Sequence, residues 1–309
     1  MSTSRTREKA DKLTYTQAEV TAGDTAARAG RKNLIINGDN RISQRGTYTS
    51  ALDFVHNSYL LDRWMAGKSG GSIDGTITHS SDTVNGAVCK TQKYIVTTGH
   101  AGSWIGGRQI LEFPETFIGR TLTVSAWVKS NSDDARILLW DVGSGTNTAI
   151  ATQAHTGGGA WEYLSSTGTV MAGTTGLTLY MATLTTVAGA VTTSTGDYIE
   201  FTNVQIEIGS VATDFEHRSY GEILADCQRF YWSTEARFYV QQYTSTHRMA
   251  QVRLPVTMRG TPTATYGVSA GTGWTPFDFT IDQITFYRAN SYSDAGTYSF
   301  NNLKVDAEL

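Results

Sequence analysis

The stretch TLTVSAWVK, Thr121 to Lys129, alternates without a break. Leu122, Val124, Ala126 and Val128 fall on one side of an extended chain, and Thr123, Ser125, Trp127 and Lys129 on the other. A helix would scatter both sets around its circumference, so this segment buries its apolar set only as a strand with one covered face. LTLYMATL (Leu177 to Leu184) and DYIEFTNVQIEIG (Asp197 to Gly209) repeat the pattern, the second with a one-residue slip near Asn203 that predicts a bulge. Turn clusters such as Asn131-Ser132-Asp133-Asp134 and Gly157-Gly158-Gly159 separate these runs. Strands at this spacing, with no helical period between them, predict an all-β jelly-roll β-sandwich rather than a βαβ fold. A chain with 15 Tyr, 7 Trp and 31 Gly suits pleated surfaces joined by turns.

The organisation follows from where that pattern starts and stops. Residues 1–32 hold few large apolar side chains and a local basic surplus: Arg5, Arg7, Lys9, Lys12, Arg28, Arg31 and Lys32 against Glu8, Asp11, Glu19 and Asp24. Such a segment buries too little surface to offset its chain entropy, so it reads either as a disordered tail or as an extended arm ordered by docking on a partner. Residues 33–218 form the sandwich. Ser219 and Glu222 make a capping box ahead of Ile223, Leu224 and Cys227, which predicts a short linking helix within 219–229, over Tyr220 to Arg229. Residues 230–309 are β again, a smaller C-terminal domain with strands at MAQVRLPVTM (Met249 to Met258), ITFYRA (Ile284 to Ala289) and the final LKVDAEL. About 80 residues is small for an isolated β unit, so packing on the first would help it.

Charge and motif spacing exclude several function classes. A net charge of −3 and a pI near 6.1 give the chain no electrostatic case for nucleic acid. The N-terminus has no apolar signal-peptide core, and no run reaches the roughly 18 apolar residues of a membrane span, so neither a signal peptide nor membrane insertion is expected. Cys89 and Cys227 read as free, buried thiols, with a single disulfide as the alternative. His56, His79, His100, His155, His217 and His247 are scattered, and none forms the i, i+4 pair of a helical metal site. The GSGTNT string (Gly143 to Thr148) reads as a hairpin. Glu112, Asp133, Asp134 and Asp141 are the carboxylates by type for glycoside hydrolysis, but no spacing pairs two of them across a sugar. No catalytic residue is assigned, and the chain reads as a non-enzyme without cofactor. A structural calcium on Asp39, Asp133 and Asp197 is left open, with no ligand set of a defined loop.

The aromatic residues are more informative. Saccharides offer CH faces that stack on Trp or Tyr rings, and hydroxyls that polar side chains fix. Trp127 stands on the polar register of its strand beside Thr123, Ser125 and Lys129; Trp104 sits between Gly102 and Gly106; Trp140 precedes Asp141. Each is a candidate for carbohydrate contact, and each would equally serve to cap the core edge. Trp64 in LLDRW and Trp161 in GAWEYL read as core or structural positions.

Several strings then recur in a familiar order: NLIINGDNRISQRG (Asn33 to Gly46), LLDRW ending at Trp64, RQILEF (Arg108 to Phe113) and IGRTLTVSAWVKSN (Ile118 to Asn131). VQIEIGSVATDFEHRSYGEILADCQRFYW (Val204 to Trp232), RLPVTMRGTPT (Arg253 to Thr263) and the closing KVDAEL follow. This run resembles the carbohydrate-binding-module-like region of phage tail-fibre and related virion proteins, its most specific part spanning Glu207 to Tyr231. The resemblance implies a jelly roll on the virion surface, made in the host cytoplasm and displayed in several copies, often as a trimer. It implies host-surface polysaccharide as ligand on a concave sheet face. By motif position it adds Gln109 to Trp104, Trp127 and Trp140 as carbohydrate-binding candidates. Residues 1–32 then become an attachment arm toward other virion proteins, with Arg5, Arg7, Lys9, Lys12 and Tyr15 as docking candidates. A purely structural head, neck or tail component is the alternative. Asn40 stands where the resembling sequences carry an aromatic, and Ser43 where they carry a tryptophan.

Overall fold

A computed structural model describes residues 31–69, 72–143, 147–184, 191–239, 241–244, 247–270, 275–289 and 299–308. Arg5, Arg7, Lys9, Lys12 and Tyr15 lie outside the described residues.

Two six-stranded antiparallel sheets stack face to face. The first runs β1 (Leu52–Asp53), β4 (Asp74–Val84), β5 (Ala87–Thr98), β12 (Tyr198–Ile208), β7 (Thr121–Ser130), β10 (Trp161–Thr169). The second runs β2 (Ser58–Leu61), β3 (Trp64–Ser69), β6 (Trp104–Ile110), β11 (Thr174–Thr183), β8 (Ala135–Gly143), β9 (Asn147–Ala154). Neighbours in each sheet are mostly non-consecutive in sequence, as a jelly roll requires and a meander does not. The sheets meet along β9 and β10, where Thr152 N donates to Ser166 Oγ at 2.9 Å. The fold is thus the all-β sandwich that the alternation implies.

The inward set of β7, Leu122, Val124, Ala126 and Val128, is fully buried against Ile137, Leu139, Leu177, Leu179 and Met181 of the second sheet. Trp64 of β3 and Phe201 of β12 bridge the two layers with ring centroids 5.1 Å apart. The slip in β12 is a bulge between Thr202 and Gln205, and Asn203 adopts φ 51°, a left-handed conformation that asparagine tolerates. Beyond the bulge, residues 33–38 run alongside β12: Leu34 N donates to Ile206 O at 2.8 Å and Val204 N to Gly38 O at 2.9 Å. Gly38 permits this approach, since a Cβ there would lie 2.1 Å from Val204 O. The N-terminal attachment to the fold begins slightly earlier, with Arg31 paired to Asp226 at 2.8 Å and Lys32 Nζ donating to Asp214 O.

Helix α1 (Tyr220–Gln228) carries the capping box, with Ser219 accepting from Glu222 N and Glu222 accepting from Ser219 N. Buried Ile223 and Cys227 pack on Ile42. Both cysteines are free, Cys227 buried and Cys89 half-buried.

The C-terminal unit has two four-stranded sheets. In one, β13 (Tyr231–Thr234), β14 (Phe238–Tyr239) and β17 (Thr263–Ala270) all pair with β20 (Ser299–Asp306). In the other, β15 (Gln241–Thr244), β16 (His247–Arg253), β19 (Gln283–Ala289) and β18 (Thr275–Phe279) follow in that order. The expected strand Met249 to Met258 is shorter than the sequence suggests, ending at Arg253, because Pro255 has no N–H to continue the ladder. Phe286, Phe300, Leu303 and Val305 make a core separate from that of the sandwich.

A carboxylate plug holds the C-terminal unit to the sandwich. Glu308 accepts from Arg63 at 2.6 Å and from Arg45 at 3.2 Å, and Arg45 also donates to Asp306 at 3.0 Å. Both guanidinium groups lie on rings, Arg63 at 3.6 Å from the Phe230 centroid and Arg45 at 3.6 Å from Tyr231.

Candidate carbohydrate-binding site

The outer face of the first sheet is a trough. Its register sets Thr91, Thr202, Trp127 and Tyr163 in one row across β5, β12, β7 and β10, and Lys93, Glu200, Lys129 and Trp161 in the next. These residues occupy alternate positions to the buried apolar set, so they face away from the core. The face is concave. Asp82 lies four strands from Trp161, about 19 Å across a flat sheet, yet Trp161 Nε1 donates to Asp82 Oδ2 at 3.1 Å. Lys129 Nζ donates to the same oxygen at 2.9 Å. The lysine, with help from the indole N–H, holds the Asp82 carboxyl below the usual carboxylate range; the hydrogen bond to Asp82 in turn raises the Lys129 pKa.

Beneath this bridge the floor is polar and internally satisfied. Thr91 Oγ1 donates to Glu200 Oε1 at 2.7 Å and Thr202 Oγ1 to Lys90 O at 2.6 Å, and all three side chains are buried. Trp127 and Tyr163 form a tilted pair at 5.5 Å, with Tyr163 44% exposed. An exposed ring beside a half-buried one, next to a lysine and an aspartate, supplies the two things a pyranose needs: a stacking surface and charged hydrogen-bond partners for its hydroxyls. The far half of the same face is closed. Gln205 and Glu207 hold the 213–216 segment over it, through Gln205 Nε2 to Thr213 O at 3.3 Å and Thr213 N to Glu207 Oε1 at 2.8 Å. Thr123 and Ser125, expected on an open polar face with Trp127, are therefore buried.

The four candidate residues do not converge. Trp127 lies in the trough. Trp104 and Trp140 lie on the outer face of the opposite sheet, with Tyr180, in an apolar cluster around Leu138, Ala182 and Leu184. Trp104 lies over Gly67, where a Cβ would come 2.4 Å from the ring, and meets Tyr180 edge-on at 5.6 Å. Gln109 is buried, and its amide is spent on one residue: it accepts from Ile36 N and donates to Ile36 O, each at 2.9 Å. That pairing pins the 33–38 segment and removes Gln109 from any sheet face. Trp161, read from sequence as core or structural, instead forms the rim of the trough. Tyr163 and Asp82 escaped sequence reading; Tyr163 was legible as the outward partner two residues after Trp161, whereas Asp82 depends on curvature that no local pattern encodes.

Two of the four candidate carboxylates are occupied structurally. Asp141 accepts from Met171 N at 2.9 Å and Thr174 Oγ1 at 2.8 Å, and Glu112 pairs with Arg229 at 3.2 Å. Of the three aspartates considered for calcium, Asp39 pairs with Arg41, while Asp197 accepts from Ser194 N at 2.6 Å. Among the described residues no group of three or more His, Cys, Asp and Glu side chains assembles to hold a metal.

No family model and no curated protein matches the chain. Solved structures similar to it include the family 11 carbohydrate-binding module of a Clostridium thermocellum cellulosomal cellulase, 12% identical with a TM-score of 0.31, covering 56% of this chain and 99% of that one. The tandem family 22 carbohydrate-binding modules of Paenibacillus barcinonensis are 10% identical with a TM-score of 0.33, covering 86% and 100%. The enzymatically active domain of tailspike protein 4 of bacteriophage CBA120 is 14% identical with a TM-score of 0.37, covering 57% of this chain and 21% of that one.

Proposed function

We propose that the protein is a glycan-binding component of a phage particle, displayed on the virion surface in several copies, trimeric by preference, and attaching to host-surface polysaccharide through the trough of the first sheet. The observation that carries the reading is the Trp127–Tyr163 pair set beside the Asp82–Lys129 bridge on a concave face. Engagement of Asp141 and Glu112 by structural partners supports binding over hydrolysis. Several copies of a shallow site would raise avidity without a tight single contact.

Trp127→Ala and Tyr163→Ala are each expected to lose roughly 1–3 kcal/mol of saccharide contact, read as lost retention on host polysaccharide with an unchanged urea midpoint. Retention equal to that of the parent would reject the trough as the site. The same result would favour a second reading, a purely structural virion component. The half-buried rings of Trp104, Trp140 and Tyr180, which cover buried Leu138, Ala182 and Leu184 on the outer face of the second sheet, support that alternative, since an aromatic surface suits subunit assembly.

The virion placement rests on the sequence resemblance and on the basic arm. Because Arg31 and Lys32 already bond to the fold, the deletion that tests the arm ends at Gly30. It is expected to leave a folded oligomer that fails to enter particles, and normal incorporation would count against docking through Arg5, Arg7, Lys9, Lys12 and Tyr15.

A further inference from the structure

A cavity of about 400 Å³ opens where the C-terminal unit meets the sandwich. Its floor is a sheet face. Asp306 sits opposite both Thr263 and Tyr231, and Lys304 opposite Thr265 and Ser233, so β17, β20 and β13 present two rows of hydroxyls and charges toward the jelly roll. The opposite face of the same strands, with Val305, Ala264 and Trp232, packs into the C-terminal core. Tyr48, Tyr59 and Arg45 of the sandwich line the cavity opposite this floor. The side chains therefore come from two separately built units, and the cavity exists only in the docked molecule.

Its lining is rich in donors. Burial pushes the Tyr59 phenol up to about 12 and raises those of Tyr48 and Tyr231, so all three hydroxyls stay protonated at neutral pH. Lys304 is exposed and adds a positive charge. The Arg45 charge is met by Asp306 and Glu308, but its Nε–H is buried without an acceptor. Tyrosine rings at 3.6 Å and 5.4 Å from the Arg45 guanidinium carbon give the cavity flat apolar walls beside these donors. The volume falls in the range of small-molecule sites.

We propose that this cavity binds an acidic saccharide unit, a pyranose bearing a carboxylate, with Lys304 meeting the carboxylate and the tyrosine hydroxyls meeting ring oxygens. The site is distinct from the trough and stands whether or not the trough binds glycan.

The test is calorimetric titration of the full chain with a hexuronate trisaccharide, its neutral hexose counterpart and acetate. Lys304→Gln and Tyr48→Ala serve as cavity variants, and Trp127→Ala as the trough control. The uronate is expected to bind the parent and Trp127→Ala alike, and to weaken by roughly ten-fold or more in Lys304→Gln, the scale of one charged hydrogen bond. The neutral trisaccharide should bind more weakly than the uronate and be indifferent to Lys304→Gln. Uronate binding that is unchanged in both cavity variants, or lost in Trp127→Ala, would overturn the proposal, as would acetate binding as tightly as the uronate. Lys304 is exposed and Lys304→Gln retains the stem, whereas Tyr48 packs against the edge of the sandwich core, so loss of binding with an unchanged urea midpoint in Lys304→Gln is the result attributable to the cavity.

Discussion

Glu308→Ala is expected to destabilise the protein by about 3–5 kcal/mol, because it leaves a buried guanidinium without its counter-charge. Arg63 is 2% exposed and the Glu308 side chain 5% exposed, so water reaches neither partner. Arg63 keeps a bond to Ile110 O at 2.9 Å and its contact with Phe230, but neither neutralises its charge. Arg45 also loses a partner and retains Asp306, whose side chain is 40% exposed and contributes less. Urea denaturation followed by tryptophan fluorescence measures the loss. The double variant Arg63→Met, Glu308→Leu is expected to recover most of it, since a matched apolar pair removes the desolvation cost along with the bond. A single-variant loss under 1 kcal/mol would mean that solvent or Asp306 already compensates Arg63.

Trp64→Ala is expected to cost about 3–5 kcal/mol. The indole is fully buried between the sheets, against Phe201, and its Nε1 donates to Asn37 O at 2.9 Å. Truncation opens a cavity and strips a buried carbonyl of its donor. Asn37 is also the hub of its turn: its amide donates to Ile42 O and Asp62 O, and its Oδ1 accepts from Ile42 N. The midpoint should fall with the urea dependence of stability unchanged, the mark of lost packing rather than an altered unfolded state. A loss confined to that expected for an exposed tryptophan would contradict the bridging role.

What the sequence reveals and what it conceals divide along the range of the interactions. The inward set of β7, the β12 bulge and the Ser219–Glu222 capping box depend on neighbours within a few residues, and each is legible from local spacing. The trough depends on the Asp82–Lys129 and Asp82–Trp161 bonds, which span 47 and 79 residues. The covering of Thr123 and Ser125 depends on the loop after β12, so alternation correctly assigns their face and still misjudges their exposure. Gln109 illustrates the same limit more sharply. Its position in a recognisable string suggested ligand contact, whereas its amide closes a pair with Ile36, 73 residues away. The separation of Trp104 and Trp140 from Trp127 reflects which sheet each strand joins, a property of topology rather than of any strand's own composition.

The pairing of residues 33–38 with β12 also fixes how the molecule bears load. Tension applied to the chain ahead of Arg31 enters through the Arg31–Asp226 pair, the Asn33 hydrogen bonds to Val204 O and Glu216, and the contacts of Leu34 and Gly38 with β12. β12 is the strand next to β7, which carries Trp127. A pull at the N-terminal side therefore reaches the trough within one sheet, while the Ile36–Gln109 pair passes part of the load to β6 of the second sheet, so both layers are gripped at the same point.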